Sequence, residues 1–257
     1  MTYPSSLDIA RGLASGCRSF NKFGRNIAIG SNFTPVTRSG FYRTPKWPDS
    51  VLLRIKAGGN ANDTANGSGG REVTLIGLNP AGELISETLA TAGASASAAT
   101  TQAFMRLTDA YVSKSGTYAT QTAGSHASTI VIENAAGGED WATIADGALG
   151  RGKTEMAVYT TPRDRSAALR NVTISSDADK KANIVLYKRE NILETAAPYT
   201  SLLLVTEYPQ SAGLFDVVFD PPLYFPPLCD FGFLANVSAS TVDVSINMDI
   251  IEFTTRC

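Results

Sequence analysis

The clearest hydrophobic rhythm in the chain lies near its end. In STVDVSINMDI, Val242, Val244, Ile246, Met248 and Ile250 alternate with Thr241, Asp243, Ser245, Asn247 and Asp249, the period-two pattern of a strand with one buried and one wetted face. At Ile250-Ile251 the phase changes so that Ile251 and Phe253 become the apolar set, which predicts a β-bulge or a crossing between sheets. Shorter runs of the same character are SVLLRIKA (50–57), REVTLIGL (71–78), ELISETLA (83–90), FMRLTDAYVSK (104–114), STIVIEN (128–134), KTEMAVYT (153–160), ALRNVTISS (168–176), ANIVLYKRE (182–190), TSLLLVTE (200–207) and GLFDVVFD (213–220). Asn79-Pro80-Ala81-Gly82 between the second and third of these predicts a β-hairpin.

Helical signals are sparse. Ser6 can cap a short helix with Ile9 and Leu13 on one face and Gly16 just past its end. TAGASASAATTQ (91–102) has alanine propensity but no large apolar face, and is read as loop. GGNANDTANGSGG (58–70) is read as a long flexible loop. The pattern as a whole predicts an all-β chain of two β-sandwiches, Ig-like or jelly-roll-like, behind an N-terminal arm containing one short helix. The expected division is an arm and docking segment at 1–49, a first sandwich at 50–150 and a second at 151–257, with the boundary in the glycine-rich stretch AAGGEDWATIADGALGRG.

Composition narrows the function. With 43% hydrophobic and 18% charged residues the chain is an ordered globular type, and a net charge of -2 leaves no basic footprint for nucleic acid. There is no apolar window of spanning length and no leader-like N-terminus, so neither membrane insertion nor classical secretion is expected. Cys17, Cys229 and Cys257 are too few and too scattered for a disulfide framework, and are expected as free thiols. His126 is the one histidine; set among small polar turn formers, it is read as a solvated loop residue, with neither a metal centre nor a catalytic triad expected.

One motif pulls the other way. GALGRGKT, with Gly147, Gly152, Lys153 and Thr154, fits G-x-x-x-x-G-K-[ST]. A phosphate loop needs a helix after its lysine, whereas Glu155 to Thr161 is β-prone and is stopped by Pro162. The match is therefore read as spurious, and no cofactor is expected. Asn62, Thr64 and Asn66 resemble a calcium loop, but Val73 stands where its bidentate glutamate belongs. Glu139-Asp140 beside Trp141 would suit sugar cleavage, except that neighbours on an extended chain face opposite ways. No catalytic residue is assigned.

Two segments read as assembly surfaces. The first 26 residues gather Arg18, Lys22 and Arg25 beside Phe20 and Phe23, either a docking element for an acidic neighbour or a solvated arm. In DPPLYFPPLCDFGFL (220–234) the prolines argue against a central strand, so Tyr224, Phe225 and their neighbours either cap a sandwich end or meet another subunit.

NKFGRN (21–26), the hairpin VTLIGLNPAGELISET (73–88) and AVYTTP (157–162) together resemble virion structural proteins of tailed double-stranded DNA bacteriophages, with Asn79-Pro80 where that group usually has an acidic turn. The resemblance implies a non-enzymatic subunit at the head-to-tail junction, in the tail or in an attached fibre, assembled in the bacterial cytoplasm. Its partners would be other copies of itself and portal, adaptor, tail or capsid subunits. A capsid decoration protein is the alternative, and a glycan-binding or glycan-degrading tail module a more distant one.

Overall fold

The computed structural model describes residues 5–120, 122–146, 151–177, 179–238 and 240–254. Fifteen strands among these residues carry the alternation seen in the sequence, and every ladder between them is antiparallel. Among the described residues the chain is all-β apart from α1 (Ser6–Ala10). The helix cap is Ser5 rather than the expected Ser6. Ser5 Oγ accepts from the Asp8 amide while Asp8 bonds back to the Ser5 amide, a closed capping box. The helix stops before Leu13 because Gly12 takes a positive φ.

The chain divides into two compact units, one of residues up to Val36 together with those from Ala157 onward, the other Thr37–Met156. The boundaries expected at 49/50 and 150/151 thus stand at 36/37 and 156/157, and residues 17–29 are not a separate arm. They form β1 (Cys17–Ile29), which pairs along β15 (Val242–Thr254) from Cys17↔Phe253 to Ile29↔Val242.

The discontinuous unit contains β1, β2 (Thr34–Pro35), β9 (Val158–Thr160), β10 (Arg165–Ser176), β11 (Ala182–Arg189), β12 (Leu203–Ser211), β13 (Gly213–Phe225), β14 (Asp230–Val237) and β15. One sheet has the order β1-β15-β10-β13; the other runs β12-β11-β14-β2, with β9 also on β14. Apart from the β11–β12 hairpin and the successive pair β2 and β9, successive strands alternate between the sheets, which is the winding of a jelly roll. Strands β2 and β9 lie along the same side of β14, against Leu234–Ala235 and Asp230–Gly232 respectively. The Ala157 N–H donates to Val36 O at 2.9 Å, so the other unit interrupts what is in effect one strand. Between the sheets, Leu169, Ile174, Phe225, Phe231, Phe233 and Met248 are fully buried, with Phe225 stacked on Phe231.

The alternation of β15 continues further than the sequence suggests. Glu252 stays in the inward phase and is fully buried, while Ile251 and Phe253 remain outward. The expected slip at Ile250-Ile251 is absent; the bulge is on β10, where Arg170 is the extra residue between Leu169 and Asn171. The proline-rich stretch also differs from expectation. Pro221 and Pro222 stand in β13, an edge strand where a missing N–H is tolerated, and Asp230–Val237 is a central strand of the other sheet.

The inserted unit has two three-stranded sheets, β3 (Leu53–Ile55), β7 (Ile130–Asn134), β8 (Asp140–Ile144) in the order β3-β7-β8, and β4 (Gly70–Leu78), β5 (Leu84–Ala90), β6 (Arg106–Ser115) in the order β5-β4-β6. The expected hairpin is β4–β5, closing at Leu78↔Leu84 with Gly82 at positive φ. The 91–102 segment is a loop, as expected, held against β3: the Ser97 and Thr100 amides donate to Ile55 O and Leu53 O, and their hydroxyls accept the same residues' amides.

His126 is buried, not solvated. Its Nε2–H donates to Ala145 O at 2.6 Å and its Nδ1 accepts from Ser125 Oγ at 2.8 Å, which satisfies the neutral ring completely. Burial lowers its pKa, against the opposing pull of the Ala145 carbonyl, Asp63 and Asp146. The unfolded chain therefore binds a proton more readily than the folded one below about pH 6.5. Stability from this group is complete above that pH and is lost as pH falls through the lowered folded value. In paired thermal melts between pH 7.5 and 5, His126→Gln should show a shallower acid-side decline than the wild type; parallel curves would contradict this.

Candidate assembly surface

The period-two geometry of β1 separates the residues that the sequence groups together. Arg18, Phe20, Lys22 and Gly24 face the opposite sheet. Phe20 packs on the core beside Tyr159, Lys22 is buried, and a Cβ on Gly24 would collide with the backbone of Ala157 and Val36. Asn21, Phe23 and Arg25 face outward. Asn21 donates to Asp249, Arg25 is bidentate on Asp243, and Phe23 is 46% exposed. Phe20 and Lys22 are thus structural, and the outward half of the stretch is Asn21, Phe23 and Arg25. Of the second expected pair, Tyr224 is exposed on β13 with its hydroxyl against Ser166 Oγ, whereas Phe225 is in the core and offers no surface.

Arg18 reaches a site that the sequence does not reveal. Glu252, with no exposed surface, accepts from Tyr159 Oη at 2.6 Å and Arg18 Nε at 2.5 Å, and Arg165 Nη1 lies 3.4 Å away. Burial, then the adjacent Glu252 charge, raise the Tyr159 pKa, keeping its hydroxyl a donor. The cluster ties β1, β9, β10 and β15 together and is filled by its own hydrogen bonds. Cys229 is likewise inert, its thiol pushed up to about 12 by burial.

The nucleotide motif is used for architecture. Gly147 lies outside the described residues. Gly152 O accepts the Val112 amide, Lys153 bridges Tyr111, and the Thr154 N–H donates to Ala110 O at 2.8 Å. Lys153 Nζ is 2.8 Å from Asp109, to which Thr154 Oγ1 also donates. Residues 151–160 contain no helix. Gly152 to Thr154 run beside β6 in the inserted unit, and the expected strand over 153–160 begins only at Val158.

The other candidate chemistries dissolve into local structure. Asp63 is buried and accepts amides from Gly70, Ala127 and Ser128, knitting two loops together. Glu139 pairs with Arg43 and Asp140 with Lys56. Trp141 is buried in β8, and the half-buried Trp47 donates its indole N–H to Pro80 O.

Exposed apolar side chains occur at many points of the described surface, and one group of them stands on β12 and β13, the outer strands on one side of the jelly roll. Leu203, Leu204, Leu214, Val218 and Tyr224 all project into solvent, with Leu214 at 73% and Val218 at 74% exposure. The signal was available in GLFDVVFD: Leu214 and Val218 alternate with Phe215, Val217 and Phe219, making both faces apolar. No protein-family model matches the chain, and no curated protein matches it.

Proposed function

We propose that the chain is a non-enzymatic structural subunit of a tailed-phage virion, working through protein–protein contacts at the head-to-tail junction, in the tail or in an attached fibre. The observation that carries this reading is the run of exposed apolar side chains on unpartnered edge strands, the type of surface by which subunits associate. The jelly-roll winding is compatible, since capsid proteins use it, although lectins and cupins do too, and fold alone does not set function.

The segments that resemble virion proteins all have architectural roles here. NKFGRN lies in β1, the VTLIGLNPAGELISET stretch forms the β4–β5 hairpin, and AVYTTP contains β9. Portal, adaptor, tail or capsid subunits are the proposed partners, with neither nucleic acid nor membrane contacted directly. The burial of Trp141 leaves that ring no exposed face on which a sugar could stack.

Mass spectrometry and cryo-electron microscopy of purified particles test the proposal. The chain should be present in a fixed symmetric copy number at the neck, tail or fibre. Uniform decoration of the capsid lattice would favour the alternative, and absence from particles would overturn the proposal.

A further inference from the structure

We propose that copies of this chain join head to tail by continuing the four-stranded sheet, the β13 edge of one copy pairing antiparallel with the β1 edge of the next. This rests on the reading of the chain as an assembly subunit and names its partner as a second copy. Both outer strands of that sheet are 13 residues long, and each has a sheet partner on one side only, leaving a row of backbone donors and acceptors on the other. Three successive antiparallel pairings separate β1 from β13, so the two strands run in opposite directions. A neighbour in the same orientation therefore offers its β1 to β13 as an antiparallel partner.

Side chains select both the register and the kind of symmetry. Setting Phe23 opposite Val218 places Arg25 opposite Asp216, Asn21 opposite Asp220 and Ile27 opposite Leu214. These are apolar, charged and hydrogen-bonding matches on one face. In that register Arg25 stands between Asp243 of its own copy and Asp216 of the neighbour. Strand β1 carries Arg18, Lys22 and Arg25 and no acidic residue; β13 carries Asp216 and Asp220 and no basic one. A two-fold pairing of β13 with itself about Val218 would oppose Asp216 to Asp220, and one of β1 with itself about Phe23 would set Arg25 opposite Asn21, with no acidic partner across the seam. Charge thus disfavours self-matched dimers and favours a heterologous contact, which closes into a ring or extends as a filament. Pro221 and Pro222 lack N–H groups and end the ladder at Asp220.

The test uses the full-length chain with Phe23→Asp and Val218→Asp, each at an exposed position and each disabling one edge. Sedimentation should show wild type assembling, each variant alone weakened about 100-fold or more, and an equimolar mixture stopping at a 1:1 dimer through its one intact pair of edges. Hydrogen exchange on the wild type, independent of any variant's folding, should show amides in 21–27 and 214–220 becoming protected as concentration rises. A variant that still assembles alone, a mixture that stays monomeric, or edge amides indifferent to concentration would overturn the proposal. A wild type monomeric at about 100 µM yet recovered in particles would overturn the edge pairing and leave the virion reading standing. Head-to-tail assembly by a chain absent from particles would do the reverse.

Discussion

Glu252→Ala should destabilise the jelly roll by about 3 kcal/mol, in the range for breaking a buried charge cluster from one side. Truncation leaves the buried Tyr159 hydroxyl without its acceptor and removes the anion shared by Arg18 and Arg165. The two arginines are partly exposed and can turn toward water, which keeps the loss near the lower end of the range. Because the cluster binds four strands from both sheets, the loss should appear in the cooperative transition of that unit. In urea titrations the midpoint should fall with little change in slope. Glu252→Gln, which keeps the volume and an acceptor, should cost roughly half as much. A change under about 0.5 kcal/mol for the alanine variant, the scale of an ordinary surface substitution, would show that the carboxylate is dispensable.

Gly24→Val should be comparably damaging, at about 3 kcal/mol, the upper part of the range for overpacking. Gly24 faces inward, where the backbone of Val36 and Ala157 occupies the space a side chain needs. Those are the residues at which the chain leaves and re-enters the jelly roll, so a side chain at 24 must push β1 away from that junction or displace the junction itself. Gly30→Ala is the control, since a Cβ there meets nothing within 4 Å, and it should stay within about 0.5 kcal/mol of wild type. Thermal melts of the two variants in parallel check the difference; equal melting temperatures would refute it.

How much of this was legible in the sequence depended on the distance over which each feature is decided. The β4–β5 hairpin and the alternation of β15 are local properties of a turn and a pleat, and both were readable. The inward position of Glu252 was not: a lone acid after Ile250-Ile251 looks like a solvent-facing residue. Its partners Arg18, Tyr159 and Arg165 stand 234, 93 and 87 positions away. The insertion was hidden for the same reason, because nothing near Val36 indicates that its continuation is Ala157. Of the residues that composition grouped as a candidate surface, Phe23, Arg25 and Tyr224 do face outward. Phe20, Lys22 and Phe225 were included with them because composition ignores which way alternate side chains point. Burial of His126 was missed because its surroundings in sequence are polar, whereas its partner Ala145 lies 19 positions on.

Since Cys17 pairs with Phe253, a nascent chain emerging from the ribosome cannot close its first long strand until Phe253 has been made. The interrupting unit has all its own strands by residue 156 and can fold much earlier. Until β15 is made, β1 therefore lacks its sheet partner, and its edges are open to another nascent copy. Ribosomes spaced along one message would hold several such strands close together, so the interval before β15 emerges is when pairing between the wrong chains competes most strongly with correct closure.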